Sequence, residues 1–471
     1  MRLLFEKSVK GRSGACIGAE GKAEIPKSLL RKDLELPELT ESDVIRHYTA
    51  LASRNYGIDT GFYPLGSCTM KYNPKVNDEI AGLEGFTGIH PYESRENVQG
   101  ALKIMHELGK DLEEITGMDA FSLQPAAGAH GELTGIMIIK AYHGKSERDT
   151  IIIPDSAHGT NPASAAMCGY KIETVGTDPD GCVDIVSLAE KAGSNTAGLM
   201  LTNPNTLGLW EDNISQLTEI IHDAGGLTYY DGANLNAIMG KVRPGDMGFD
   251  VMHVNLHKTF ATPHGGGGPG SGPVGVKKEL AKYLPAPVIG SHKDGFFLDH
   301  DIPESIGRVR SYYGNFLVLV RAYAYIRALG GKGLRQASEE AVLNANYLKE
   351  MLKDTYDLPF DRPCMHEFVI SARRQKHDHK VKTLDIAKRI LDHGMHAPTI
   401  YFPLIIEESM MVEPTETESK QTLDEFIQVM KAIDEECAKD PETVRKAPHN
   451  TPVGRLDDTK AAREPDLRWG P

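Results

Sequence analysis

The sequence has few cysteines, only two tryptophans and no long apolar run. Its 471 residues include six widely spaced cysteines, none in a CxxC pair, which argues against a zinc ribbon or a redox dithiol and is typical of a reducing compartment. No stretch approaches the roughly 18 consecutive apolar residues of a membrane-spanning helix. The N-terminal apolar run is too short for a signal peptide, so we expect a soluble cytoplasmic protein.

Basic residues are also in deficit. Lys and Arg number 52 against 66 Asp and Glu, which gives a net charge of −14. A nucleic-acid binder needs a basic surface to neutralise phosphates, so this balance argues against nucleic acid as a partner. The 47 glycines and 27 prolines are, by contrast, in excess of ordinary usage. Much of this excess falls in motif-like loops, and these loops carry the functional argument.

Composition shifts along the chain predict its domain organisation. Residues 1–95 are rich in proline and glycine and weakly periodic, which favours an extended arm with short helices. We predict a large domain over 96–328, a smaller α+β domain over 329–445 and a polar tail over 446–471. The apolar run over 315–329 predicts a long buried helix that leads from the large domain into the small one.

Short apolar runs alternate with helical patterns in the large domain. We predict buried strands at 151–153, 199–201, 227–230 and 251–254, with a helix over 214–224. Such alternation predicts a mostly parallel sheet covered by helices on both faces. Parallel sheets place their sites in loops at the carboxyl ends of the strands. We therefore expect the loops that follow these strands to meet at one edge of the sheet.

A run of small residues precedes a helical pattern after residue 123. Ala127, Gly128 and Ala129 lie in this segment, QPAAGAHGE (124–132). Uncapped backbone N–H groups at the start of a helix favour binding of an anion such as phosphate. The same composition also suits an ordinary tight loop, so this motif by itself leaves both interpretations open.

Polar side chains stand at the ends of three predicted strands. His158 follows the first of these strands, Asp231 ends another, and Lys258, flanked by His257 and Thr259, follows the last. A buried acid needs a cationic partner, and a lysine near apolar residues can act as a nucleophile. Taken singly, each has a structural explanation: a hydrogen-bonded histidine, a helix cap or a surface lysine.

As a set, these residues predict a site for pyridoxal 5′-phosphate (PLP). That cofactor requires an imine-forming lysine, an acid at its pyridine nitrogen, a side chain stacked on its ring and a cradle for its phosphate. Lys258, Asp231, His158 and the helix that follows QPAAGAHGE offer these four parts. The combination is far more specific than any one of the motifs.

Two other kinds of site are weaker interpretations. Residues 270–275 match GxGxxG, but they do not directly follow a strand, they contain Pro273, and no acid stands at the expected distance for a dinucleotide site. His253, His257 and His264 could suggest a metal, yet no acidic or thiol partner completes the set in the sequence. We therefore predict neither a dinucleotide nor a metal.

In chain order, the motifs resemble the glycine dehydrogenase (decarboxylating) family, the P-protein of the glycine cleavage system. The resemblance covers almost the whole chain. The matching stretches are GFYPLGSCTMKYNP (61–74), QPAAGAHGE (124–132), DSAHGTNPASA (155–165), DGANLNA (231–237), VNLHKTFATPHGGGGPGSGP (254–273), YGNFLVLVRAYAYIRALG (313–330), HAPTIYFPL (396–404) and EPTETESK (413–420).

The resemblance implies an α/β fold of PLP-dependent fold type I, like that of aspartate aminotransferase, with a mostly parallel sheet in the large domain. Single-chain members of the family have two homologous halves, and this chain resembles the catalytic half. It is therefore similar to the β subunit (subunit 2) of the two-subunit form, which implies an α subunit (subunit 1) as partner, in an α2β2 assembly.

The resemblance also implies an activity and residue roles. The activity is decarboxylation of glycine with release of CO2 and transfer of the aminomethyl group to the lipoyl cofactor of H-protein. Lys258 would bond to PLP, Asp231 would contact the pyridine nitrogen, and His158 would stack on the ring. The segment from Ala127 through Gly128 to Ala129 would hold the phosphate, with His257 and Thr259 in the cofactor environment.

Three questions stay open from the sequence. The small residues at 265–272 either line a channel for the lipoyl arm or form a structural turn. Another fold-type I enzyme, such as an aldolase or a cysteine desulfurase, is an alternative, although no cysteine has an obvious activating context. A non-catalytic scaffold subunit is the other alternative, disfavoured because Lys258 and Asp231 are both present.

Overall fold

The computed structural model describes residues 2–14, 25–31, 35–264 and 270–467. It divides into two units, residues 1–61 and residues 62–471. The predicted channel segment 265–272 lies outside the described residues over 265–269. The predicted domain boundaries at 95, 328 and 445 stay a prediction.

Helices and strands alternate through most of the larger unit. Over the described residues the strands are β1 (Ala120–Ser122), β2 (Thr150–Pro154), β3 (Lys171–Val175), β4 (Thr196–Thr202), β5 (Leu227–Asp231), β6 (Val251–His253), β7 (Val274–Val276), β8 (Val288–His292), β9 (Gly295–Asp299), β10 (Phe368–Ser371), β11 (Thr399–Ile400) and β12 (Ser409–Val412). The α-helices are α1 (Glu41–Ala52), α2 (Lys75–Ala81), α3 (Glu84–Thr87), α4 (Gln99–Thr116), α5 (Gly128–His143), α6 (Thr160–Met167), α7 (Ile185–Lys191), α8 (Ile214–Asp223), α9 (Leu256–Thr259), α10 (Phe316–Leu352), α11 (Arg373–His379), α12 (Thr383–Asp392), α13 (Lys420–Lys439), α14 (Pro441–Lys446) and α15 (Asp458–Arg463).

The smaller unit contains α1, whose start is fixed by a capping box. The Thr40 side chain accepts a hydrogen bond from the backbone N–H of Asp43, and the Asp43 carboxylate accepts one from the backbone N–H of Thr40. Two N-terminal donors that the helix itself leaves unpaired are satisfied in this way. This unit contains none of the predicted site residues.

The main sheet has seven strands in the order β1-β7-β6-β5-β4-β2-β3. Strands β3, β2, β4, β5 and β6 are parallel, and β7 pairs antiparallel with both β6 and β1. The four strands predicted from apolar runs are β2, β4, β5 and β6, which lie side by side. The predicted mostly parallel sheet is therefore confirmed.

Side chains of the parallel strands alternate between two hydrophobic cores. On β2, Ile152 packs in the first core and Ile151 in the second. On β5, Tyr230 packs in the first core and Tyr229 in the second. Helices α4, α8 and α10 contribute to the first core, and α5 and α6 contribute to the second. The sheet is thus covered on both faces, as predicted for strands that read as continuous apolar runs.

The C-terminal part of the larger unit has its own sheet and core. Strands β10, β12 and β11 form an antiparallel sheet in that order. Buried side chains of α10, α12 and α13, including Leu348, Ile386 and Phe426, pack with this sheet. The apolar pattern of the sequence predicts a strand over 366–371, which is β10 in the structure, and a helix over 384–391, which is α12.

The predicted helix over 315–329 is longer in the structure. Helix α10 runs from Phe316 to Leu352 and is interrupted at Gly330, where φ is 60° and ψ is 179°. Its first part packs in the core of the main sheet, and its second part packs in the C-terminal core. None of the helices in the described ranges combines the length and apolar content needed to cross a bilayer.

Gly232 determines how closely the carboxyl ends of β5 and β6 approach each other. A Cβ atom at this position would overlap the backbone carbonyl of His253, which no side-chain rotation can relieve. We expect Gly232→Ala to destabilise the chain by about 1–3 kcal/mol, the usual cost of overpacking. The measurement is the midpoint of thermal unfolding.

Gly100→Ala is the matched control for this substitution. Gly100 lies in α4, and a Cβ atom there would contact nothing within 4 Å. The control should therefore be neutral or stabilising by up to about 1 kcal/mol. Equal unfolding midpoints for the two variants would contradict the close approach at Gly232.

Candidate active site

The predicted site residues lie at one edge of the main sheet. His158 follows β2, Asp231 is the last residue of β5, and Lys258 lies on the short helix α9, which follows β6. Because these strands are parallel, their carboxyl ends meet at the same edge. The structure thus gathers three side chains that are up to 100 positions apart in the chain.

Lys258 is half-buried at the centre of this group. Burial lowers the pKa of His253 and of His257, and the charge of Lys258 lowers both further because it is close to both rings. Among the described residues, no hydrogen bond or ion pair reaches the Lys258 ammonium. The side chain is therefore a cation available to a ligand.

Asp231 is buried, with only 3% of its surface exposed. Its carboxylate accepts hydrogen bonds from the Asn161 side-chain amide and the backbone N–H of Ala233, both at 3.0 Å. The His253 Nε2 atom lies 3.5 Å from Asp231 Oδ1. Burial alone would raise the pKa of Asp231, but His253, Asn161 and Lys258 outweigh it and hold the pKa below its usual value. Asp231 is thus a buried anion that can pair with a cationic ligand atom.

His158 presents an exposed ring beside these groups. Its Nδ1 atom lies 2.8 Å from the Thr160 hydroxyl, and its ring meets that of Phe402 edge-on at 5.7 Å between centroids. Desolvation by the surrounding protein lowers the pKa of His158, and the charge of Lys258 contributes, so the imidazole is neutral at pH 7. A neutral, exposed aromatic ring is suited to stacking on a flat ligand.

His257 is a buried, neutral acceptor. Burial and the charge of Lys258 lower its pKa to about 3. Its Nδ1 atom accepts the backbone N–H of Ser271 at 3.4 Å, and the Asn255 amide nitrogen lies 3.4 Å from its Nε2 atom. Thr259 is fully buried, and its hydroxyl has no hydrogen-bond partner among the described residues. The Ser271 hydroxyl is buried and unpartnered in the same way. A bound ligand could supply the hydrogen-bond partner that these two hydroxyl groups lack.

The segment from Ala127 to Ala129 forms the start of α5, as predicted. Ala127 is the N-cap residue, and no side chain caps the helix. A Cβ atom at Gly128 would overlap the Asn255 amide, so a larger residue would have to displace that side chain. The N–H groups at this uncapped end form a cradle that fits a phosphate group.

Sequence reasoning missed Glu132, Asn161 and Asn255, and it considered His253 only as a possible metal ligand. Glu132, Asp231 and His253 each place one ligand atom within 4.8 Å of the others. The Asn161 amide nitrogen donates to both carboxyl groups, at 2.8 Å to Glu132 and 3.0 Å to Asp231. Glu132 ends the QPAAGAHGE motif and Asn161 lies inside DSAHGTNPASA, so their presence in these motifs could have identified them as site residues.

Lys71 was also missed, and it supports the turn that carries Lys258. Its buried ammonium donates to the carbonyl of Thr259 at 3.0 Å and to Asn236 Oδ1 at 2.7 Å, and it pairs with Glu416 at 2.7 Å. Burial alone would lower the pKa of Lys71, but the Glu416 charge outweighs it and raises the pKa. A buried cation therefore joins two of the motifs that the sequence separates by more than 300 residues.

A second acidic cluster lies near Lys258. Glu367, Glu413 and His366 are fully buried together, and the backbone N–H of Ser67 donates to Glu367 at 2.7 Å. Burial and the charge of Glu413 raise the pKa of Glu367 well above its usual value. The three histidines that could suggest a metal in the sequence are divided in the structure: His253 faces Asp231, whereas His257 and His264 contact each other.

Matches to known protein families and relatives extend over most of the chain. The family model described as Glycine cleavage system P-protein matches residues 17–296, and that described as Glycine dehydrogenase, C-terminal domain matches residues 337–452. A protein of Halalkalibacterium halodurans named "Probable glycine dehydrogenase (decarboxylating) subunit 2" is 60% identical over 99% of this chain and 98% of its own length. A protein of the same name from Caldanaerobacter subterraneus subsp. tengcongensis is 59% identical over the same shares.

Solved structures agree on the fold. A crystal structure of glycine decarboxylase (P-protein) of the glycine cleavage system, in inhibitor-bound form, has a TM-score of 0.74 at 21% identity and covers 87% of this chain and 93% of its own. The apo cysteine desulfurase of Thermococcus onnurineus NA1 has a TM-score of 0.61 at 17% identity and covers 79% and 94%. The predicted fold type I is confirmed. With a family model matching more than half of its residues and relatives about 60% identical almost end to end, the chain belongs to the glycine cleavage system P-protein family.

Proposed function

We propose that this chain is the catalytic subunit of a glycine dehydrogenase (decarboxylating). It decarboxylates glycine with the help of PLP, releases CO2 and passes the aminomethyl group to the lipoyl cofactor of H-protein. The observation that carries the proposal is the meeting of Lys258, Asp231, His158 and the uncapped start of α5 at one sheet edge, in a chain of this family.

The residues of the site fit PLP. Lys258 would hold the cofactor covalently through its side-chain amine, the group that the amine of glycine could replace. Asp231, kept anionic by its neighbours, holds a proton at the pyridine nitrogen. His158 would stack on the ring, and the segment Ala127–Ala129 would bind the phosphate, with His257 and Thr259 lining the pocket. When bound, PLP would supply an electron sink for the pair of the carbon–carbon bond that breaks as CO2 leaves.

Partners follow from the same proposal. The name "subunit 2" carried by relatives supports a partner subunit. We propose an α2β2 assembly with the P-protein α subunit (subunit 1), and lipoyl H-protein as the partner that accepts the aminomethyl group. The cytoplasmic location predicted from the sparse cysteines stays a prediction.

A cysteine desulfurase is the alternative that one contact favours. Cys68 Sγ lies 3.4 Å from His264 Nε2, which sequence reasoning did not foresee. Burial nevertheless raises the pKa of the Cys68 thiol, although the nearby Lys258 charge acts in the opposite direction. The other cysteines in the described ranges are buried. A neutral thiol is a poor nucleophile, so the contact does not make Cys68 a desulfurase cysteine.

The two activities can be separated with the purified complex of this chain and its partner subunit. We expect exchange of labelled bicarbonate carbon into glycine, stimulated by lipoyl H-protein, and no sulfide release from L-cysteine. Sulfide release without glycine exchange would favour the desulfurase and contradict the proposal.

Lys258→Ala tests the proposed covalent link. Without its amine, the chain should lose the visible colour of bound PLP, and glycine exchange should fall on the order of 10³-fold or more, as for removal of a covalent catalytic group. Lys278→Ala is the control, since it makes the same substitution at an exposed lysine. Full exchange activity in the Lys258→Ala complex would refute the proposed role.

Asp231→Asn tests the partner of the pyridine nitrogen. The substitution keeps the shape of the side chain but removes the charge, so the complex should bind PLP more weakly and exchange glycine more slowly, by about tenfold or more for each. Asp301→Asn, at an exposed aspartate, is the control. Spectrophotometric titration with PLP gives the affinity, and an unchanged affinity and rate would count against Asp231.

A further inference from the structure

Glu132 is a second buried acid beside Asp231. It lies on α5, one turn after Gly128, and only 4% of its surface is exposed. Its carboxyl faces Asp231 and His253, with one ligand atom of each within 4.8 Å of the others. Asp231 has a role in the proposed cofactor site, whereas Glu132 has none there, although the two acids lie side by side.

A chain of short contacts leads from Glu132 to His158. Glu132 Oε1 lies 2.8 Å from the Thr160 hydroxyl oxygen, and that oxygen lies 2.8 Å from His158 Nδ1. The other oxygen of Glu132 accepts a hydrogen bond from the Asn161 amide at 2.8 Å. Glu132 is therefore connected to both groups of the proposed site, to Asp231 through Asn161 and to His158 through Thr160.

The hydrogen atoms available to this series of contacts determine the protonation state of Glu132. The backbone N–H of Thr160 also donates to His158 Nδ1, at 3.3 Å, so this ring nitrogen is an acceptor without a hydrogen. The Thr160 hydroxyl has one hydrogen for two neighbours. If Glu132 were ionised, one of the two 2.8 Å contacts would join two acceptors. A proton on Glu132 Oε1, donated to Thr160, satisfies every contact.

The electrostatics agree with this assignment. Burial and the charge of Asp231 raise the pKa of Glu132 to about 8, although Asn161, Thr160 and Lys258 act in the opposite direction. Glu132 is thus neutral below about pH 8, while Asp231 stays ionised. The titratable groups around Glu132 are Asp231 and Tyr229 on β5, His253 on β6, His158 after β2 and Lys258 on α9. Two neighbouring acids with separated pKa values divide into an anion and a hydrogen-bond donor.

We propose that Glu132 is a positioning residue: as a neutral carboxylic acid, it donates to Thr160, which donates to His158 Nδ1. The relay holds the His158 ring with its remaining hydrogen on Nε2 and fixes the ring plane for stacking. Only this last step rests on the proposed function, because it requires PLP at the ring. The protonation of Glu132 is a property of the chain alone.

Infrared spectroscopy of the full chain tests the protonation without any cofactor. A protonated carboxyl group has a carbonyl stretch at higher frequency than an ionised carboxylate. The difference spectrum between wild type and Glu132→Gln at pH 6 should contain one such band, and the band should vanish as the pH is raised through about 8. Absence of the band at pH 6 would mean that Glu132 is ionised and would overturn the proposal.

Titration with PLP tests the positioning, using complexes with the partner subunit. In Glu132→Gln the amide can donate to Thr160 and accept from Asn161, so affinity should stay within about twofold of wild type. Glu132→Leu and Thr160→Val each break the relay and should weaken binding by about tenfold, a loss of roughly 1.4 kcal/mol. The double variant should bind PLP no more weakly than either single variant, because the two residues act through the same series of hydrogen bonds.

Three results would overturn the positioning role. The first is equal affinity in all variants, and the second is additive losses in the double variant. The third is a Glu132→Gln variant as weak as Glu132→Leu, which would mean that the anion is required. Circular dichroism separates loss of binding from loss of folding; if Glu132→Leu does not fold, Glu132→Gln and Thr160→Val still decide the matter. A wild-type complex that binds no PLP would overturn the proposed cofactor site and the stacking step, whereas the infrared result would stand independently.

Discussion

The site depends on keeping one carboxylate, that of Asp231, ionised where water is excluded. An isolated buried anion is costly, and proteins normally neutralise it by protonation or by pairing. Here His253, the Asn161 amide, a backbone N–H and the charge of Lys258 together compensate for the lost hydration. Nearby groups must adapt to that charge, because one anion in a region of low dielectric constant disfavours a second.

The fold brings the groups around Asp231 together from the ends of neighbouring strands and helices. Parallel strands β5 and β6 end side by side, so Asp231 and His253 come from neighbouring strands. Helix α5 starts at the same edge and brings the proposed phosphate cradle and Glu132 on successive turns. Helix α6 starts there too and brings Thr160 and Asn161. The site is thus assembled from the ends of regular elements, which hold side chains more rigidly than long loops do.

Sequence reasoning located the parts of the site that follow from a strand end. Lys258, Asp231 and His158 were found because apolar runs predict buried strands and because parallel strands end together. Glu132 and Asn161 were not found, since their role depends on how α5 and α6 pack against β5, which no local pattern expresses. Lys71 and Glu416 are 345 positions apart, and a buried lysine looks like any other lysine in a sequence. The helix predicted from the sequence is shorter than α10, because a glycine such as Gly330 is typical of a helix end. In the structure the helix resumes after it.

The buried Lys71 cation has a consequence for how the larger unit loses its structure. Its partners come from the turn after Lys258, from the segment after β5 and from the segment after β12. Detaching any one of these would leave an uncompensated charge away from water, which costs several kcal/mol. Partial opening of the C-terminal segment alone is therefore unfavourable. The segments that meet at Lys71 behave as one cooperative unit, so hydrogen exchange in all three should be governed by a shared opening event rather than by local fraying.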